Sequence, residues 1–164
     1  MRIAVIDTSP LISLSHLNLA HELGLFFDVV YVPRAVQNEL NRKSRFRYRL
    51  KKLYDRGFFV RCVAADRFNV MLLRDQLDAG EAEALIQAQE REALFFIGDE
   101  RRARAVAALM GKKAIGTLRL LGRLSLEGRA PDFRGLVDKL RRDLGFRVSD
   151  ELVQQAVDAA TEPI

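Results

Sequence analysis

Tryptophan is absent from this chain, and among 164 residues cysteine occurs once, histidine twice and proline four times. The lone Cys62 makes no internal disulfide, which excludes a disulfide-stapled secreted scaffold and points to the cytoplasm. It lies in the strand-like run Phe58 to Val63 and reads as an ordinary core residue. Cysteine and histidine spacings that would hold zinc are missing. No apolar run is long enough to cross a bilayer, so no membrane association is expected. The opening Met1-Arg2-Ile3-Ala4-Val5-Ile6-Asp7 turns acidic too soon for a signal peptide and reads as a first strand. No glycine-rich loop ends in Gly-Lys-Ser or Gly-Lys-Thr, which excludes a P-loop nucleotide site. Internal repeats, low-complexity tracts and obvious linkers are also lacking.

Hydrophobic residues make up 49% of the chain, enough for a full core in one domain over 1–164. Net charge is +5, which favours polyanionic partners without specifying them. Apolar runs at 2–6, 29–32, 58–63, 93–97 and 113–115 read as strands. Between them lie helical stretches at 9–17, 19–26, 67–76, 101–110 and from Gly80 onward, and one running from Pro33 through the basic stretch 44–56. Alternating strands and helices imply an α/β fold, three-layered, with a mostly parallel sheet. A C-terminal helical pair, about 132–161, is joined at Gly145 and reads as core, although its apolar faces would also suit an interface. Thr117 is placed to cap the helix that follows the last strand.

Four acidic residues stand where apolar runs meet helices. Asp7 follows the first strand and Asp99 the fourth, while Glu39 and Glu81 lie early in helices. Each has an ordinary explanation: a helix cap or Asx-turn for Asp7 and Asp99, an i,i+4 pair with Lys43 for Glu39, and the helix dipole for Glu81. The set says more than its members. Residues just past strand ends in a parallel sheet converge in one crevice. Carboxylates crowded there repel unless a cation neutralises them. Oxygen-only ligands suit Mg²⁺ or Mn²⁺ better than zinc, which points to metal-dependent phosphodiester chemistry. A haloacid-dehalogenase-type phosphatase would need an aspartate where Ser9 stands.

Val5-Ile6-Asp7-Thr8-Ser9-Pro10-Leu11-Ile12 resembles the opening of a PIN domain, the nuclease fold of VapC-type toxins. Val32-Pro33-Arg34-Ala35-Val36-Gln37-Asn38-Glu39-Leu40 resembles its second motif. Leu77-Asp78-Ala79-Gly80-Glu81-Ala82-Glu83-Ala84-Leu85 and Phe96-Ile97-Gly98-Asp99-Glu100 resemble the third and fourth. The Gly-Glu-Ala-Glu third motif, Ile115-Gly116-Thr117-Leu118 and the C-terminal helices are most similar to a bacterial and archaeal branch of predicted nucleic-acid-binding proteins, catalogued as a domain of unknown function. The resemblance implies that Asp7, Glu39, Glu81 and Asp99 are catalytic and bind one or two Mg²⁺ or Mn²⁺ ions. Many PIN toxins carry aspartate at the third position. Glu81 keeps the charge and adds a methylene, with Glu83 in reserve. Thr8 or Ser9 would supply a hydroxyl. The implied reaction is two-metal hydrolysis of RNA, one ion activating the attacking water and the other steadying the leaving oxygen. No histidine takes part, and His16 and His21 have packing or surface roles. A small antitoxin protein and a homodimer are the implied partners.

Between Arg42 and Arg56 cations far outnumber acids. Arg45, Arg49, Lys52 and Arg56 fall on one helical stripe beside an apolar stripe of Phe46, Leu50 and Leu53. The stripe reads as a phosphate track near the acidic crevice, with Tyr48 or Tyr54 to stack on a base; a solvated face or a docking site for an acidic protein are the other readings. Arg101, Arg102 and Arg104, just past Asp99, are also placed to hold phosphate. Two functions compete with the ribonuclease: a non-catalytic nucleic-acid-binding or regulatory module of the same fold, and a phosphohydrolase of small phosphoesters.

Overall fold

The first strand, β1 (Ile3–Ile6), becomes the centre of the molecule, because the sheet grows outward from both of its edges. The computed structural model describes residues 1–130, 132–162 and 164, without the side chains of Ser44, Arg45, Arg47 and Tyr48. After β1 come α1 (Thr8–His16), a 3-10 helix (Ala20–Leu25), β2 (Val29–Pro33), α2 (Arg34–Arg42), α3 (Ser44–Tyr54) and β3 (Phe59–Cys62). The second half runs α4 (Arg67–Leu73), α5 (Ala79–Glu90), β4 (Phe95–Ile97), α6 (Arg101–Leu109), β5 (Lys113–Ile115), α7 (Thr117–Leu126), α8 (Phe133–Leu144) and α9 (Asp150–Ala159). All five strands are parallel, in the order β3-β2-β1-β4-β5, with Val5 level with Tyr31 on one side and Phe96 on the other.

A parallel sheet needs cover on both faces, and the strand alternation supplies it. Ala4, Ile6, Val30, Val32, Phe95 and Ile97 point into one apolar cluster with Leu11 and Leu14 of α1, Leu120 and Leu124 of α7, Leu140 of α8 and Val153 of α9. Val5 and Phe96 point the other way, against Leu85 of α5 and Ala103 of α6. This is the expected three-layer α/β arrangement. Burying one such Phe or Leu side chain is worth about 1.5–3 kcal/mol.

Local details depart from the sequence reading. The helix expected to run on into the basic stretch is broken at Lys43 (φ −91°, ψ 86°), giving α2 and α3. The apolar stripe is nevertheless correct, with Phe46, Leu50 and Leu53 all buried. Residues 20–25 form i→i+3 bonds, as in Glu22 N–H to Leu19 O at 3.0 Å, and so make a 3-10 helix in place of the expected α-helix. Gly111 and Gly145, at φ 71° and 66°, stop α6 and α8 in the left-handed region. In the C-terminal pair Val137, Leu140 and Val153 are core, while Leu152 and Val157 stay exposed. Cys62 is buried, and burial pushes its thiol up to about 12, leaving it unreactive. Among the described residues no helix is long and apolar enough to cross a membrane.

Candidate active site

Chain direction across the sheet reverses at β1: β2 and β3 build one edge, β4 and β5 the other. In such sheets the crevice lies beyond the C-terminal ends of the strands that flank the reversal, here β1 and β4. Asp7 is the first residue after β1, and its N–H donates to Ile97 O of β4 at 2.9 Å. Asp99 lies two residues past β4.

Asp7 occupies the N-cap position of α1, yet its side chain accepts no capping hydrogen bond. It is only 3% exposed, and its Oδ1 is buried without a partner. Two neighbouring oxygens share that condition, Thr8 Oγ1 and Glu81 Oε1. Glu81 arrives on the first turn of α5 through a reciprocal capping box. Asp78 Oδ1 accepts the Glu81 N–H at 2.8 Å, and Glu81 Oε2 accepts the Asp78 N–H at 3.1 Å, leaving Oε1 over. Gly80 keeps the space between them open. A Cβ there would sit 3.0 Å from Asp7 Oδ1, 3.2 Å from Thr8 Oγ1 and 3.4 Å from Asp78 Oδ1.

Buried oxygens without partners are costly, and the titration of these groups reflects it. Burial is the largest influence on Asp7, raising its carboxyl to about 8. The Thr8 backbone N–H pulls it back, and the charges of Asp78, Glu81 and Asp99 raise it further. Glu81 is raised chiefly by burial, with Asp78 and Glu100 adding repulsion against a hydrogen bond from the Asp78 backbone. Burial also raises Asp99, opposed by hydrogen bonds from Thr117 and by the Arg104 guanidinium. Those bonds come from the Thr117 N–H to Oδ1 and the Thr117 hydroxyl to Oδ2, each at 2.7 Å. Thr117 therefore does not cap α7, whose N-cap is Gly116; its donors hold Asp99 instead.

The other sequence candidates are placed differently. Glu39 stays at the surface of α2, paired with Lys43 at 3.1 Å, and its charge is not among those acting on Asp7. Glu83 accepts the N–H of Ala35 at 2.7 Å and of Ala64 at 3.5 Å, so both its oxygens tie α5 to the start of α2 and to the end of β3. Ser9 is exposed on α1, and Arg101 and Arg102 are exposed at the start of α6, next to Asp99. The basic stripe is not beside the crevice. Arg49, Lys52 and Arg56 line a groove with Ser15 and Asn18, at the opposite end of α1 from Asp7. The side chains of Arg45 and Tyr48 lie outside the described residues. Tyr54 is not free to stack on a base, because Arg61 covers its ring at 4.4 Å. His16 pairs with Asp143 and His21 with Glu22, both surface roles. Sequence reasoning gave no role to Asp78, although Asp78-Ala79-Gly80-Glu81 has the spacing of a capping box.

Among the described residues no group of three His, Cys, Asp or Glu side chains is gathered tightly enough to hold a metal ion by itself. Mg²⁺ asks for less, since it commonly takes one or two carboxylates and fills its octahedron with water and substrate phosphate. Two partnerless carboxylate oxygens and a hydroxyl, buried where a carboxyl resists ionisation, are a donor set that fits such an ion.

A family model described as DUF3368, a PIN domain, matches residues 3–162. The chain belongs to the PIN-domain family. PIN domains are nuclease-type domains that generally use divalent metal ions and bind nucleic acid. No curated protein and no solved structure matches the chain significantly.

Proposed function

We propose that this PIN domain, reading residues 1–164 as one unit, is a divalent-metal-dependent endoribonuclease acting in the cytoplasm as the toxin of a toxin–antitoxin pair. The observation that carries the reading is that Asp7 Oδ1, Thr8 Oγ1 and Glu81 Oε1 are all buried without partners, on segments that begin at the reversal point of a parallel sheet or carry a charge acting on Asp7. Asp7, Glu81 and Asp99 would hold Mg²⁺ or Mn²⁺, one or two ions, with Thr8 beside them and Ser9 at the rim. When bound, the ion supplies a lowered water pKa and a counter-charge for the phosphate.

The chain's own groups do the rest. Thr117 fixes the orientation of Asp99, and Asp78 that of Glu81. Arg101 and Arg102 offer donors to the phosphates flanking the scissile bond. Glu39 joins by leaving Lys43, which costs little because exposed ion pairs are worth about 0–1 kcal/mol. Glu83 stays on the backbone amides it already serves.

The test is cleavage of structured and single-stranded RNA in Mn²⁺, in Mg²⁺ and in chelator, beside the Asp7→Asn protein. Metal-dependent cleavage lost in the variant supports the reading. RNA binding without cleavage would instead favour the non-catalytic module, and turnover confined to small phosphoesters the phosphohydrolase. The toxin role is tested by growth arrest on expression and its relief by a small companion protein; sedimentation tests the homodimer.

A further inference from the structure

The basic groove at the far end of α1 is too remote to hold the scissile phosphate. Ser15 lies two turns of α1 beyond Thr8, a rise of about 10 Å. The groove encloses about 80 Å³ and is lined by Ser15, Asn18, His21, Arg49, Lys52 and Arg56, with no carboxylate among its walls. At about 10–15 Å³ of such space per water, that is room for several waters or one tetrahedral anion.

Arg49 and Arg56 keep donors for an anion from outside. Arg49 Nη1 donates to the Ser15 carbonyl, which fixes the guanidinium without neutralising it and leaves further N–H donors over. Arg56 makes no ion pair among the described residues. His21 stands 3.2 Å from Glu22, whose carboxylate is outside the lining. Lys51, Lys52 and Arg56 continue an exposed basic surface along α3 and just past its end. A phosphodiester chain would use both the groove and that surface.

We infer that this groove is a phosphate-binding exosite for RNA, gripping one backbone phosphate of the strand whose cleaved bond lies at the Asp7–Asp99 crevice. The inference rests on the ribonuclease reading above for the identity of the polyanion. The exosite sets affinity and the minimum useful length of RNA and takes no part in bond breaking.

The experiment compares Lys52→Gln/Arg56→Gln with a charge-keeping control, Lys52→Arg/Arg56→Lys. Both are made in the Asp7→Asn protein, so that binding is read without cleavage. With a single-stranded RNA of about 20 nucleotides, the Gln variant's plot of log affinity against log salt should be shallower by about 0.7, the share of one phosphate on a single strand. The control should restore the slope. The His21 ring resonances should shift on adding this RNA to Asp7→Asn and stay still in the Gln variant. An unchanged slope with both doubles would overturn the inference. So would polyglutamate displacing the RNA from His21 at equal charge concentration, which would make the groove a protein-docking site. A protein that binds RNA here yet never cleaves it removes the ribonuclease reading and keeps the exosite; cleavage with an unchanged slope does the reverse.

Discussion

Thr117 gives both of its donors to Asp99, the backbone N–H to Oδ1 and the hydroxyl to Oδ2, each at 2.7 Å. The carboxylate is thereby locked at the head of α7 while each oxygen keeps a second lone pair for the crevice. Thr117→Val preserves shape and removes the hydroxyl donor. Cleavage should fall about 10- to 100-fold, as for lost partners of metal ligands, and stability by about 1–2 kcal/mol. Thr117→Ser should recover most of the activity. Equal activity in all three proteins would show that the hydroxyl does not position Asp99.

The raised Asp7 carboxyl makes metal-free stability depend on pH in a definite direction. From its ordinary value of 3.8 up to about 8 the unfolded chain has lost this proton and the folded chain keeps it. The unfolded state then binds fewer protons, so stability falls as pH rises across that window and levels off above it. Asp7→Asn lacks this contribution. Measured in chelator between pH 5 and 9, its melting temperature should climb relative to the parent as pH increases. Parallel curves for the two proteins would contradict the burial of an ionisable Asp7.

Metal should undo the same penalty. At pH 8, millimolar Mn²⁺ should raise the melting temperature of the parent by several degrees, through binding to the folded state alone. Asp7→Asn should respond weakly. A similar rise in both proteins would place the ion elsewhere.

Gly80→Ala separates fold from site. The position lies in the first turn of α5, where alanine gains up to about 1 kcal/mol of helix propensity. Its Cβ would nevertheless crowd Asp7 Oδ1 and Thr8 Oγ1. The expected protein is as stable as the parent, within about 1 kcal/mol, yet loses most of its Mn²⁺ response and cleavage. Full activity would mean that the space above Gly80 is not used.

Glu39 and Glu81 should differ in consequence. Glu81→Gln disturbs a buried oxygen at the crevice and should reduce cleavage by more than about 100-fold. Glu39→Gln alters a half-exposed residue now paired with Lys43 and should cost about tenfold. Kinetics on one RNA substrate would rank them, and the reverse order would show that Glu39 is drawn deep into the loaded site.

Asp7 and Asp99 were legible in the sequence because both follow apolar runs long enough to be strands, and the sheet order then brings them together without further information. The lines joining Glu83 to Ala35 and Ala64, or Thr117 to Asp99, are tertiary, and no periodicity reports them. The break at Lys43 was hidden because the apolar stripe continues across it through Leu40 and Phe46. The stripe of Arg49, Lys52 and Arg56 lies away from the crevice for a related reason. Helical spacing tells which residues share a stripe, but only packing against α1 decides which end of the sheet the stripe reaches. Asp78 is the one site neighbour that the sequence offered openly, through the Asp-x-x-Glu spacing.

The position of β1 at the middle of the sheet carries a consequence for the growing polypeptide. Asp7 leaves the ribosome well before the strand that flanks it on the side of Asp99, and earlier still than the threonine that steadies Asp99. Until β4 docks, Asp7 has no Ile97 carbonyl to bind and no acidic neighbour past that strand. A nascent chain halted before β4 would carry the first motif intact and have no assembled crevice, so translation order itself delays the site's appearance.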